Sequence, residues 1–127
     1  MIDAKVPSYR IKKPSRFSIH AKPGYEIRNR LWLEKDGELY IVGNRVALLE
    51  KIDEYGSIAE AARSMNLGYR NAWLWVEAMN RLAPTPLVEK ITGGRGGGHA
   101  RLTDEGRKII TEFKELNARV REFLKDF

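Results

Sequence analysis

The chain has 127 residues, no cysteine and a formal net charge of +6 at pH 7. That length can bury a sizeable core as one domain without covalent staples, and the missing thiols exclude disulfides and thiolate metal sites. No apolar run approaches the roughly 20 residues of a membrane helix, and the N-terminus lacks the apolar core of a signal peptide, so a soluble cytoplasmic protein is expected.

The charge is unevenly placed. Residues 1–30 hold eight Lys and Arg against Asp3 and Glu26, while residues 31–127 hold fifteen of each sign. Within the second group, residues 63–103 carry Arg63, Arg70, Arg81, Lys90, Arg95 and Arg101 against Glu77 and Glu89. A local excess of this kind attracts polyanions, although a merely solvated basic surface has the same composition.

Residues 1–24 set Pro7, Pro14 and Pro23 among basic side chains without any period, which reads as a basic, poorly ordered arm. A hairpin is expected within residues 25–43. Leu31, Leu33, Leu39 and Ile41 alternate around Asp36-Gly37, a pair suited to the positive φ angles of a tight turn, and the antiparallel pair should run from roughly Ile27 to Val42.

Asn44 is the expected cap of a first helix with Val46, Leu48, Leu49, Ile52 and Tyr55, closed by Gly56. Ser57 with Glu60 forms a capping-box pattern for a second helix, whose face of Ile58, Ala61, Ala62 and Met65 is small enough for another helix to approach. After the short turn Asn66-Leu67-Gly68, a third helix is expected from Tyr69 to about Leu82, with an inner stripe of Ala72, Trp73, Val76 and Met79. Tyr69, Arg70, Asn71 and Leu74 are left near its exposed start. Two short helices joined this tightly have the pattern of a helix-turn-helix.

Pro84 and Pro86 end the third helix. Two short strands then bracket a run of five glycines in the six positions Gly93 to Gly98. Such a run opposes helix and strand alike, because each glycine costs roughly 0.5–1 kcal/mol relative to alanine. A wing hairpin accounts for it: the tip can lie against a phosphate backbone, with Lys90, Arg95, His99 and Arg101 as donors. Thr103 should cap a last helix, with Asp104 and Glu105 in its first turn. There Ile109, Phe113, Leu116, Val120, Phe123 and Phe127 are spaced four, three, four, three, four, the seam of a helix that pairs in a dimer. Packing of that stripe on its own domain is the alternative.

The glycine run fails as an enzyme loop. It lacks the Lys and Ser/Thr of a phosphate-binding P-loop, and the last glycine position of a dinucleotide fingerprint falls on His99. The two histidines, His20 and His99, have no second ligand at metal spacing, and no serine sits in a nucleophile elbow. No catalytic residue, cofactor or metal is expected. Trp73 reads as core by its spacing with Val76, and Trp75 lies on another face.

The stretch GSIAEAARSMNLGYRNAWLWVEAMNRL, followed by LVEKITGGRGGGHARLTDEG, resembles the N-terminal DNA-binding domain of the ModE family of molybdate-responsive transcription regulators. YRNAW, the Met-Asn pair seven residues after Ala72, TGGRGGG and the Leu-Thr before the last helix carry the resemblance, which covers residues 44–127. It implies a winged helix-turn-helix that dimerises and binds a palindromic operator, with Tyr69, Arg70 and Asn71 opening the recognition helix and Lys90 to Arg101 in the wing. Gly68 stands where that family commonly has a serine. The family's C-terminal oxyanion module has no counterpart in these 127 residues, so no molybdate sensing is expected of them.

The expected fold is therefore mainly α with small β: a winged helix-turn-helix (44–102) with an N-terminal β-hairpin and a long C-terminal dimerisation helix (103–127). The expected partners are double-stranded DNA and a second copy of the chain, at the nucleoid and not at a membrane. An architectural protein that binds DNA broadly, and an adaptor that uses Trp32 and the winged surface to bind protein, remain open at this point.

Overall fold

In a computed structural model the described residues are 22–91 and 98–125. The expected arm up to residue 21, the glycine run through Gly97 with Arg95, and Phe127 lie outside them. The elements in chain order are β1 (Trp32–Lys35), β2 (Glu38–Val42), α1 (Gly43–Tyr55), α2 (Ile58–Ser64), α3 (Tyr69–Leu82), β3 (Val88–Ile91), β4 (His99–Leu102) and α4 (Asp104–Lys125). They form two units, Leu31–Leu116 and the chain's two ends, 22–30 with 117–125.

In the first unit, β1 and β2 pair antiparallel around Asp36 (φ 50) and Gly37 (φ 83), the double positive φ of a two-residue hairpin turn. The ladder occupies Trp32–Val42, shorter than the expected 27–42, and its register shifts between Leu33 and Glu34. Asn44 does not cap α1. Val42, still paired with Trp32, is the last extended residue (φ −148, ψ 166), so the helix starts at Gly43 and Asn44 is already inside its first turn. At the other end Gly56 takes the left-handed conformation (φ 69) and its N–H closes on the Ile52 carbonyl at 2.8 Å.

Ser57 Oγ accepts from the Glu60 N–H at 3.1 Å, while the Glu60 carboxylate turns to Arg63 at 2.7 Å. The serine half of the capping box is thus formed, and the glutamate makes an ion pair along the helix. α2 contributes Ile58, Ala61 and Ala62 to the core, small side chains that let the neighbouring helices come close. The turn into α3 is tight: Leu67 N donates to Ala62 O at 2.9 Å, with Asn66 left-handed at φ 57.

β3 and β4 pair in the register Val88↔Leu102 to Ile91↔His99. β4 also reaches the junction of α1 and α2, through a bridge between Ser57 and His99 and an Ala100 N to Gly56 O bond of 3.0 Å. Ile41, Leu48, Leu49, Ile52, Val76, Met79, Leu87 and Val88 are the largest fully buried side chains, so the core lies between β2, α1, α3 and the start of β3.

Two side chains pin the segment between α3 and β3. Asn80 accepts from the N–H groups of Leu87 and Val88 (2.8 and 3.1 Å) and donates to the Val88 carbonyl at 2.9 Å. From the other side Thr103 donates through its hydroxyl to the Pro86 carbonyl (2.7 Å) and through its N–H to the Leu87 carbonyl (2.9 Å). The same hydroxyl accepts from Gly106 N at 3.0 Å, which caps α4 as expected. Gly106 is a close approach: a Cβ there would sit 2.5 Å from Leu87 O and 2.8 Å from Leu102 Cδ1.

In the second unit, residues 22–25 form a turn, with Tyr25 N donating to Lys22 O at 3.2 Å and Gly24 at φ 86. Tyr25, Glu26 and Ile27 line a shallow groove of about 300 Å³ with Arg121, Leu124 and Lys125 of the last turns of α4.

Gly106→Ala should lower the stability of the fold by about 1–3 kcal/mol in denaturant unfolding, since its methyl group meets backbone. Asn80→Ala strands two buried N–H groups and should cost about 2 kcal/mol or more by the same measurement. A variant as stable as the parent would show that the corresponding contact is dispensable.

Candidate nucleic-acid interface

α3 presents its buried stripe, Ala72, Val76, Met79 and Leu82, to the core and leaves its first turn outside. Tyr69 is 51% exposed and Leu74 42% exposed, and Arg70 and Asn71 are exposed beside them. None of Tyr69, Arg70 and Asn71 makes a side-chain hydrogen bond or ion pair among the described residues. Gly68 caps the helix without a side-chain bond and no acid stands in its first turn. The N–H groups and the positive end of the helix dipole are therefore open to an anion.

The cations beside this surface are engaged with carboxylates. Lys90 on β3 forms an ion pair with Glu77 of α3, and its ammonium lies 4.6 Å from the centre of the Trp73 ring. Arg101 on β4 bonds Glu89 on the facing strand at 3.0 Å. Farther along α3, Arg81 forms a two-bond contact with Glu38 on β2, which holds the Glu38 carboxyl below its ordinary range. Exposed pairs of this kind are worth about 0–1 kcal/mol each, so a phosphate can replace the carboxylate. His99 is exposed at the start of β4, next to the segment that holds Arg95.

Trp73 stands opposite to the expected core placement, and Trp75, whose role the sequence left open, takes the position nearer the core. Trp73 is 37% exposed and serves as the floor under Lys90, outside the core. Trp75 is half-buried, packs against the core and has the Arg45 guanidinium 6.0 Å from its ring centre. The reason is rotational: Trp73 lies about 100° around the axis from Ala72 and still farther from Met79 and Leu82, although only about 60° from Val76. The three-residue spacing to Val76 had suggested the core, but Met79 and Leu82 extend the stripe on the other side.

The α4 seam is divided. Phe113 is 5% exposed within its own unit's core, and Ile109 is half-buried against that core. Leu116 is 41% and Phe123 39% exposed, with Val120 half-buried between them in sequence. No helix among the described residues is long and apolar enough to cross a membrane.

The chain is 42% identical over 87 residues to a protein named molybdenum transport protein ModE from Azotobacter vinelandii, which covers 68% of this chain and 32% of that protein. It is 36% identical over 92 residues to a DNA-binding transcriptional dual regulator ModE of Escherichia coli K12, covering 72% of this chain and 35% of the relative. A transcriptional regulator ModE of Haemophilus influenzae is 42% identical over 72 residues, 57% of this chain and 28% of its own length. The chain thus spans about a third of the length of these relatives. No family model matches it.

Truncating Trp73 separates the two placements. Trp73→Ala should change unfolding stability by about 1 kcal/mol or less, the worth of an exposed ring under a cation, whereas a core tryptophan would cost about 3–5 kcal/mol.

Proposed function

From a chain that is of ModE type over about two-thirds of its length, we propose a dimeric, sequence-selective DNA-binding transcription regulator built as a winged helix-turn-helix. In this reading α2, the turn and α3 are the helix-turn-helix, with α3 as the recognition helix. β3 and β4 are the wing, and the Ser57–His99 bridge adds the short third strand. α3 enters the major groove by its N-terminal end, and two copies read half-sites about 34 Å apart.

Arg70 then pairs with a guanine edge and Asn71 with an adenine edge, the bidentate matches that these side chains make best. Tyr69 bonds phosphate at the uncapped start of the helix, and Leu74 supplies an apolar contact to a thymine methyl. Lys90 and Arg101 exchange their carboxylate partners for phosphate oxygens along the wing, and Arg95 and His99 are its further donors. Leu116, Val120 and Phe123 form the dimer seam. The observation that carries the reading is the state of the first turn of α3: Arg70 and Asn71 are exposed and unengaged among the described residues while the cations beside them are paired.

The test is recovery and sequencing of fragments of the protein's own genome bound at physiological salt. A two-fold-related motif is expected; uniform recovery would favour broad architectural binding, and no recovery a protein-binding role. On a selected site, Arg70→Ala should cost roughly 1–3 kcal/mol of binding, concentrated on one base position. An equal loss on every sequence would remove Arg70 from base readout.

A further inference from the structure

We propose that the unit formed by residues 22–30 and 117–125 is a second, phosphate-binding surface for duplex DNA, made of other residues than those of α3 and the wing, and that it supplies most of the sequence-independent affinity. The inference deepens the DNA-binding reading and rests on it for the identity of the polyanion.

The first observation is where the fold puts the charge. Residues 31–116 contain twelve Lys and Arg against thirteen Asp and Glu, so the unit that holds α3 and both hairpins has a slight negative balance. The described part of the other unit holds Lys22, Arg28, Arg30, Arg119, Arg121 and Lys125 against Glu26 and Glu122. Chain order hides this concentration, because half of those cations lie at each end of the sequence and only the fold groups them.

The second observation is pairing. Both acids among its described residues are engaged with a cation of their own segment, Glu26 with Arg28 at 2.5 Å and Glu122 with Lys125 at 3.6 Å. Lys22, Arg30 and Arg121 make no ion pair among the described residues, and all three are exposed. Arg121 lines the 300 Å³ groove with the exposed ring of Tyr25, a second donor type that phosphate accepts. On the α3 side, by contrast, Lys90, Arg101 and Arg81 each have a carboxylate to surrender before they can bind a phosphate.

The third step is physical. Like charges closer than about one Debye length, roughly 8–10 Å at physiological salt, add their potentials, and Lys22, Arg30 and Arg121 have no acid of their own to cancel theirs among the described residues. A small anion can engage one or two of them at a time. A duplex, with one charge per about 1.7 Å of axis, can engage several at once and gains the counterion release that follows.

The test compares salt titrations of the full chain on a labelled duplex of unrelated sequence, followed by fluorescence anisotropy. The triple variant Lys22→Gln, Arg30→Gln, Arg121→Gln changes exposed side chains only, and circular dichroism should show the parent fold. Its slope of log affinity against log salt is expected to be smaller in magnitude by about 2–3, with at least about tenfold weaker binding near 0.1 M salt. The double variant Lys90→Gln, Arg101→Gln should change the slope by less. An unchanged slope in the triple variant, with a flattened one in the double variant, overturns the proposal while leaving specific readout by α3 standing. Loss of unrelated-duplex binding in the triple variant, together with no motif enriched by the parent, supports this surface and sinks the specific regulator. Sedimentation of the parent with anionic phospholipid vesicles, lost in the triple variant while duplex binding persists, would assign the surface to a membrane and overturn it.

Discussion

The arrangement of the candidate interface depends on how Pro86, Leu87 and Val88 are held. This short segment joins α3 to β3, and its polar backbone atoms are taken by Asn80 on one side and Thr103 on the other. Leu87 and Val88 are buried, so their N–H groups need acceptors that water cannot provide. A single amide side chain on the last turn of α3 supplies them, and so fixes where β3 starts relative to that helix. α4 begins against the same segment, because Thr103 both binds it and caps the helix, and only a glycine at 106 leaves room for the Leu87 carbonyl. The placement of the β3–β4 hairpin against α3 is therefore set by contacts at the base of the hairpin and not by the exposed side chains of either element.

The same economy appears among the charges. Lys90 is held between Glu77 and the Trp73 ring, Arg101 by Glu89 and Arg81 by Glu38. Two of the pairs join α3 to a strand and the third joins β3 to β4, so the side chains are pre-positioned but locally neutral. A surface built this way has little field of its own at long range and gains cationic character only as a competing anion displaces the carboxylates. Arg70 and Asn71 are the contrast, since both project from the first turn without a partner among the described residues.

This local neutrality makes the division of the chain into two units significant. The unit bearing α3 has a near-even balance of charges, and the excess of the whole protein resides in the unit made from its two ends. Polyanion attraction and base selection are in this reading assigned to different parts of the chain. Attraction is then tuned by salt and by exposed cations, and selection by the rigid geometry around Asn80 and Thr103.

Much of the secondary structure was legible from local chemistry. Asp36-Gly37 demands its turn, Gly56 and Ser57 end one helix and start the next, the Asn66-Leu67-Gly68 turn separates α2 from α3, and Thr103 opens α4, because each of these is a decision between neighbouring residues. What the sequence by itself determined was thus the order and kind of the elements and the exposed start of α3. Tertiary structure decided what depends on residues distant in the chain. Asn44 lost its capping role because β2 runs directly into α1, and Trp73 left the core because the far flank of α3, through Met79 and Leu82, meets it instead. Phe113 sits in the core and Leu116 outside it although both belong to one seam, since a heptad pattern records which face is apolar and not which partner covers it. The pairing of Lys90 with Glu77 and the gathering of cations from both chain ends are likewise long-range, and no spacing rule within a single segment encodes them.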